Sequence, residues 1–125
     1  MKHESSKQAS VSELVAAYVK AAELHWQATV KGAHKSANAQ YERLSAARRE
    51  LRDRGEDGRS ALTELLQHSN SNVRLWAASH VLEFAPALAE AELERLAQGP
   101  AGAMRLDAEM TLSEWRAGNL KFTEG

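Results

Sequence analysis

The string Arg-Leu-x-Ala occurs three times in this chain, as Arg43-Leu44-Ser45-Ala46, Arg74-Leu75-Trp76-Ala77 and Arg105-Leu106-Asp107-Ala108, each copy 31 residues after the last. One such match in an Ala-, Leu- and Arg-rich chain carries little weight. Three in register point to a helical repeat, in which stacked helix pairs share one core. The register extends past the tetrapeptide: a shift of 31 carries Leu62 onto Leu93, Leu65 onto Leu96, Val73 onto Met104, Val81 onto Leu112 and Phe84 onto Trp115. The segment around Leu44 joins through Arg43, Ala46 and the pair Leu51 and Leu82. Short helical arrays of this kind work by presenting a surface rather than by housing chemistry.

Composition agrees with an all-α chain. Alanine is abundant, long β-branched runs are missing, and the two prolines, Pro86 and Pro100, sit where helices should start or stop. A length of 125 residues suits one domain. A formal net charge of −1 provides no global field for nucleic acid or an anionic membrane. Cysteine is absent, which removes disulfides, thiol catalysis and thiolate metal sites. Met1–Ser10 has no apolar run, and no stretch approaches the ~20 apolar residues of a membrane span. The expectation is a cytoplasmic, bacterial-type protein.

Local signals divide the chain into six helices. Ser10 with Glu13 forms a capping box that opens a first helix over 11–30, and Lys31-Gly32 stops it. A loop over 32–36 leads to a second helix over 37–54, ended by Gly55, with Gly58 closing the turn. A third helix covers 59–68. The capping-rich run Ser69-Asn70-Ser71-Asn72 breaks the chain before a fourth, over 72–85. Pro86 opens a fifth, which runs to about Gln98, and Gly99-Pro100-Ala101-Gly102 separates it from a sixth over 103–117. The expected organisation is a flexible tail over 1–9, one domain over 10–118 and a C-terminal tail over 119–125. The long first helix does not match the repeat and reads as an end cap.

Asn72-Val73-Arg74-Leu75-Trp76-Ala77-Ala78, followed by an apolar helix, resembles the second helix of a HEAT repeat. The wider pattern runs through Leu51, Arg54-Gly55, Ala61-Leu62, Leu65-Leu66, Val73-Arg74-Leu75, Ala77-Ala78 and Ala85-Pro86. It is similar to the bacterial family catalogued as domain of unknown function 2019. The resemblance covers about residues 41–118. It implies a short right-handed α-solenoid of about three HEAT-like hairpins and a role in protein binding, immunity to a toxin being one form. It brings no catalytic residues with it.

Helical phase sorts the fourth helix. With Trp76 as zero, Ser79, His80 and Glu83 fall within about 60°, forming a narrow polar stripe against a wide apolar arc. Arg74 lies about 160° away, inside the apolar arc. A cation there needs a partner, so Arg43, Arg74 and Arg105 are expected to be structural ties between repeats. Their candidate carboxylates are Asp53, Asp57 and Asp107, with neighbouring carbonyls as further acceptors; a row of arginines that binds an external anion is the alternative. Carried across the repeats, the polar stripe collects Ser45, Arg48, Arg49 and Arg52, then Trp76, Ser79, His80 and Glu83, then Asp107, Met110, Thr111 and Glu114. Such a face would run from basic to acidic around a tryptophan and could orient a protein partner, or it could be ordinary solvated surface.

Other patterns are weaker. The five histidines form no HExxH, and His80 with Glu83 makes only two ligands, so neither a metal nor a cofactor is expected. Over 42–59, six arginines face five carboxylates, as on a salt-bridged helix. Glu83, Glu90, Glu92 and Glu94 bias the next segment toward acid, either as a patch for a cationic partner or as a glutamate-rich helix start. No P-loop or GxGxxG is present, and no enzyme is expected. The expected partner is another protein. The alternative is nucleic-acid binding through the second-helix arginines 48, 49, 52 and 54.

Overall fold

The computed structural model describes residues 9–120. The expected tails therefore lie largely outside the described residues, apart from Ala9, Asn119 and Leu120. Six α-helices and no strand occur among the described residues: α1 (Val11–Lys31), α2 (His34–Asp53), α3 (Glu56–Glu64), α4 (Ser71–Val81), α5 (Pro86–Ala97) and α6 (Ala103–Arg116). A 3₁₀ turn, Leu65–Gln67, extends α3. The described residues divide into two compact units, with the boundary inside α3 between Leu62 and Thr63.

The first unit is built on the α1–α2 hairpin. Ser10 accepts from the Glu13 amide at 3.0 Å while the Glu13 carboxylate accepts from the Ser10 amide at 2.9 Å, so the box caps α1 from both sides. Gly32 ends α1 at φ 72°, a left-handed conformation that favours glycine. The connection is two residues, Gly32 and Ala33, rather than the expected five, because α2 begins at His34. So short a loop makes the helices antiparallel neighbours. Leu14, Tyr18, Ala21 and Ala22 of α1 and Leu44, Ala47 and Leu51 of α2 are buried. Gly58 is not a turn residue but lies inside α3, buried against the end of α2.

In the second unit α4 packs against α5, α5 against α6, and α4 more lightly against α6. Asn70 caps α4, its side-chain oxygen accepting from the amides of Asn72 (2.8 Å) and Val73 (3.3 Å). α4 ends at Val81, short of the expected 85, in a run of turns before Pro86 opens α5. Val73, Ala77, Ala78, Val81, Leu82, Ala89, Leu93, Ala108 and Leu112 are buried. Several positions 31 apart are buried alike, among them Leu51 with Leu82, Leu62 with Leu93 and Ala77 with Ala108. The leucine of the tetrapeptide breaks the pattern: Leu44 and Leu75 are buried, whereas Leu106 is 54% exposed.

Candidate functional site

The three arginines of the recurring tetrapeptide have different surroundings. Arg74 is half-buried and holds three acceptors. Its Nε donates to Glu92 Oε2 at 3.0 Å, and its Nη1 donates to the carbonyls of His68 (2.7 Å) and Ser69 (3.1 Å). It therefore ties α4 to α5 and to the turn that precedes α4. Glu92 is 3% exposed and also pairs with Arg95 at 2.8 Å. Arg43 and Arg105 depart from the expected inward phase. Both are exposed, and Arg105 pairs with Glu109 on its own helix at 3.3 Å. Asp57 and Asp107 make no ion pair among the described residues, and Asp53 accepts from Arg52 at 3.3 Å.

The acidic bias over 83–94 is largely neutralised. Besides Glu92, Glu90 accepts from the Trp115 indole at 2.8 Å and from Arg116 at 3.3 Å, and Glu94 also accepts from Arg116. These bonds fasten α6 to α5 and leave Glu83 as the exposed acid outside them. Hydrogen bonding to Glu94 and then to Glu90 raises the pKa of the Arg116 guanidinium.

The basic end of the expected polar face needs correction. Arg48 is 4% exposed, and Arg52 and Ser45 are buried too, leaving Arg49 half-buried. The reason is phase. The buried arc of α2 is centred on Leu44, Leu51 and Arg48 and is wide enough to take in Gln40, Ala47 and Arg52. A stripe transferred from α4 therefore falls on the wrong side of α2. The burial removes Arg48 and Arg52 from any surface that could meet phosphates, and Arg54 is half-buried with its guanidinium on the Ala9 carbonyl. Arg48 instead lies near Tyr18, whose phenol is fully buried. Burial raises the Tyr18 pKa well above 10, and the Arg48 charge opposes that shift in part. A raised phenol pKa stabilises the fold while the unfolded phenol is neutral, and this contribution is lost as pH climbs past the unfolded value of about 10. We expect stability to fall above that pH, and Tyr18→Phe to flatten the alkaline limb of a denaturation-midpoint profile.

In the second unit Trp76 is half-buried, its ring 5.7 Å from that of His80 and inclined by 32°. Ser79 donates to the Leu75 carbonyl at 2.9 Å. Asp107 and Glu114 are exposed, and Thr111 is half-buried. No group of three or more potential metal ligands occurs among the described residues.

The feature that sequence reasoning missed is a groove of about 630 Å³ in the first unit, between α1 and α2. Its floor is alanine: Ala17 and Ala21 from α1, Ala46 and Ala47 from α2, with Ala16 at the edge. Leu14 lies toward one end and Leu24 toward the other, so it runs about 15 Å along α1 at 1.5 Å per residue. Of the polar lining groups Gln40 is buried, and Lys20, Arg43 and Glu50 are exposed at the rim. Lys20 and Arg43 are exposed and make no ion pair among the described residues; Glu50 pairs with Arg54 at 3.9 Å. Because the hairpin is antiparallel about Gly32-Ala33, Lys20 and Arg43 come level with each other, one on each helix.

The family described as domain of unknown function, DUF2019, matches residues 12–115. The chain belongs to that family. This DUF2019 chain is also similar to a solved structure, the crystal structure of the protein RPA1889 from Rhodopseudomonas palustris CGA009. The two share 29% identity over 91% of this chain and 94% of that one, with a TM-score of 0.84. No curated protein matches it. No helix among the described residues of this DUF2019 member is long and apolar enough to cross a membrane. Taken singly, the alanines that floor its groove are not a sequence signal, since alanine on a helix also serves as the default helix former. The usable clue was their clustering at 16, 17, 21, 46 and 47 beside two cations.

Proposed function

We propose that this chain is a non-catalytic, HEAT-like protein-binding module that seats a helix of a protein partner in the α1–α2 groove. The observation that carries this reading is the groove itself: an open, alanine-floored trough with Lys20 on one helix, and Arg43 and Glu50 on the other, at its rim. Small side chains on two neighbouring helices let a third helix come within the usual ~8–10 Å packing distance. A helix laid in such a groove is read through anchors at i, i+3, i+4 and i+7, and about 15 Å of trough accommodates roughly three turns. The 31-residue recurrence supports a framework of about three hairpins in a right-handed solenoid, with the long α1 as its end cap. A cytoplasmic location and an immunity role, in which the module covers a toxin, fit a small cysteine-free binding protein of this kind.

The lack of cysteine allows one thiol to be placed at will. The protein carrying Ala16→Cys and a benzophenone label is illuminated in native extract and the adducts are sequenced, with Ser60→Cys on the exposed side of α3 as control. Position 16 should give a saturable adduct on a helical segment of one protein. Excess unlabelled wild type should compete for it at least about tenfold better than the Lys20→Glu/Arg43→Glu variant, the ratio expected for about 1.4 kcal/mol of rim attraction. Identical adducts from positions 16 and 60 would sink the reading.

A further inference from the structure

We infer that the occupant of the α1–α2 groove is α6 of a second copy of this chain; this rests on reading the groove as a seat for a helix. Five large apolar side chains are exposed among the described residues, Val30, Tyr41, Leu88, Leu106 and Met110, and two of them are one helical turn apart on α6. Leu106 is 54% exposed and Met110 56% exposed. With Leu106 as zero, Met110 lies at about 40°, so the two form a one-turn apolar stripe that the polar Ser113, at about −20°, continues. Asp107 and Glu114 flank it at about 100° and 80°, and Glu109 flanks the other side at about −60°. The stripe is thus acidic along one side, through Asp107 and Glu114, and neutral along the other, where Glu109 pairs with Arg105 at 3.3 Å; the acidic side complements Lys20 and Arg43 at the groove. Asp107 and Glu114 make no ion pair among the described residues, which is also true of Lys20 and Arg43. The sizes agree as well. At 1.5 Å per residue the 14-residue α6 is about 21 Å long and covers the roughly 15 Å groove. Leu106 and Met110 supply the bulk that the alanine floor leaves room for.

The groove and the stripe are different surfaces, so the contact is heterologous and each added copy exposes a fresh groove or a fresh α6. One helix in one groove buries less than the ~1,200 Å² of a standard interface, so association is weak and appears at about 0.1–1 mM. Sedimentation equilibrium on the full chain tests this with two variants substituted only at exposed positions. One closes the groove by charge, Lys20→Glu/Arg43→Glu; the other removes the stripe, Leu106→Ser/Met110→Ser. Circular dichroism verifies the fold of each. The wild-type mass should rise above 13.7 kDa with concentration. Each variant alone should stay monomeric, and an equal mixture should form a species of twice the monomer mass and nothing larger, because one good α6 meets one good groove. A wild type that stays monomeric at millimolar concentration overturns the inference. So does a mixture that fails to pair or that grows past a dimer. If the wild type is monomeric while the label at position 16 still captures a helix of a different protein, the groove reading stands and the second copy is excluded. Failure of both experiments removes the groove reading too.

Discussion

Gly58→Ala lowers the unfolding free energy by about 3 kcal/mol, the upper part of the range for forcing extra volume into a packed site. The sign is the informative part. In an ordinary helix interior, glycine to alanine gains about 1 kcal/mol. At position 58 a Cβ would lie 1.8 Å from the Leu51 carbonyl oxygen and 2.7 Å from its carbon, and both are backbone atoms. The first turn of α3 is pressed onto the end of α2, and Arg59 secures the same junction by donating to the Arg52 carbonyl at 3.2 Å. To admit a methyl group, α3 has to move off α2. Thermal unfolding should show a drop of roughly 10 °C for a chain of this size. The control is Ser60→Ala, at an exposed position of the same helix, which should be neutral or slightly stabilising. A Gly58→Ala protein more stable than wild type would mean that the close approach does not exist.

Arg74→Met has a comparable effect, about 3 kcal/mol, the lower end for breaking a buried pair, because the Arg74 side chain retains 24% exposure. The substitution keeps the aliphatic length and removes the charge. Glu92 would remain buried with Arg95 alone, whose side chain is 68% exposed, and the carbonyls of His68 and Ser69 would lose their donor. Adding Glu92→Leu should recover much of the loss, since an apolar pair can replace a buried ionic one at little cost. A double-mutant cycle from denaturant midpoints measures this coupling. The other two arginines of the recurring tetrapeptide provide the contrast: Arg43→Met and Arg105→Met, at exposed sites, should each stay within about 0.5 kcal/mol of wild type. Equal losses at all three would contradict the distinct surroundings of Arg74.

What could be read from the sequence was what neighbouring residues decide. Ser10 with Glu13, Gly32 at the end of α1 and Pro86 at the start of α5 lie where their own conformational preferences put them. The inward phase of Arg74 was also readable, because a charge in an apolar arc is conspicuous. Its carboxylate partner was not, since Glu92 is 18 residues away and only packing brings it near. Phase failed on α2 for a similar reason. A helix rich in alternating charge offers several plausible inner faces, and contact with α1 selected the one that buries Arg48 and Arg52. Gly58 looked like a turn signal because nothing local distinguishes a glycine that bends the chain from one that makes room for a neighbouring carbonyl. The groove was harder still to foresee, because it is defined by side chains too small to reach across it.

The hairpin geometry also has a kinetic consequence. In the first unit, α1 meets α2 across a two-residue connection; in the second, α4 meets α5 and α5 meets α6, each the next helix along the chain. Most of the entropy of bringing partners together is therefore spent on short loops. Chains dominated by such sequence-local pairings cross their folding barrier in about microseconds to milliseconds. Each hairpin can consequently form as soon as its second helix has been synthesised, so that core residues such as Leu44, Leu51, Leu82 and Leu93 spend little time exposed on an incompletely folded chain.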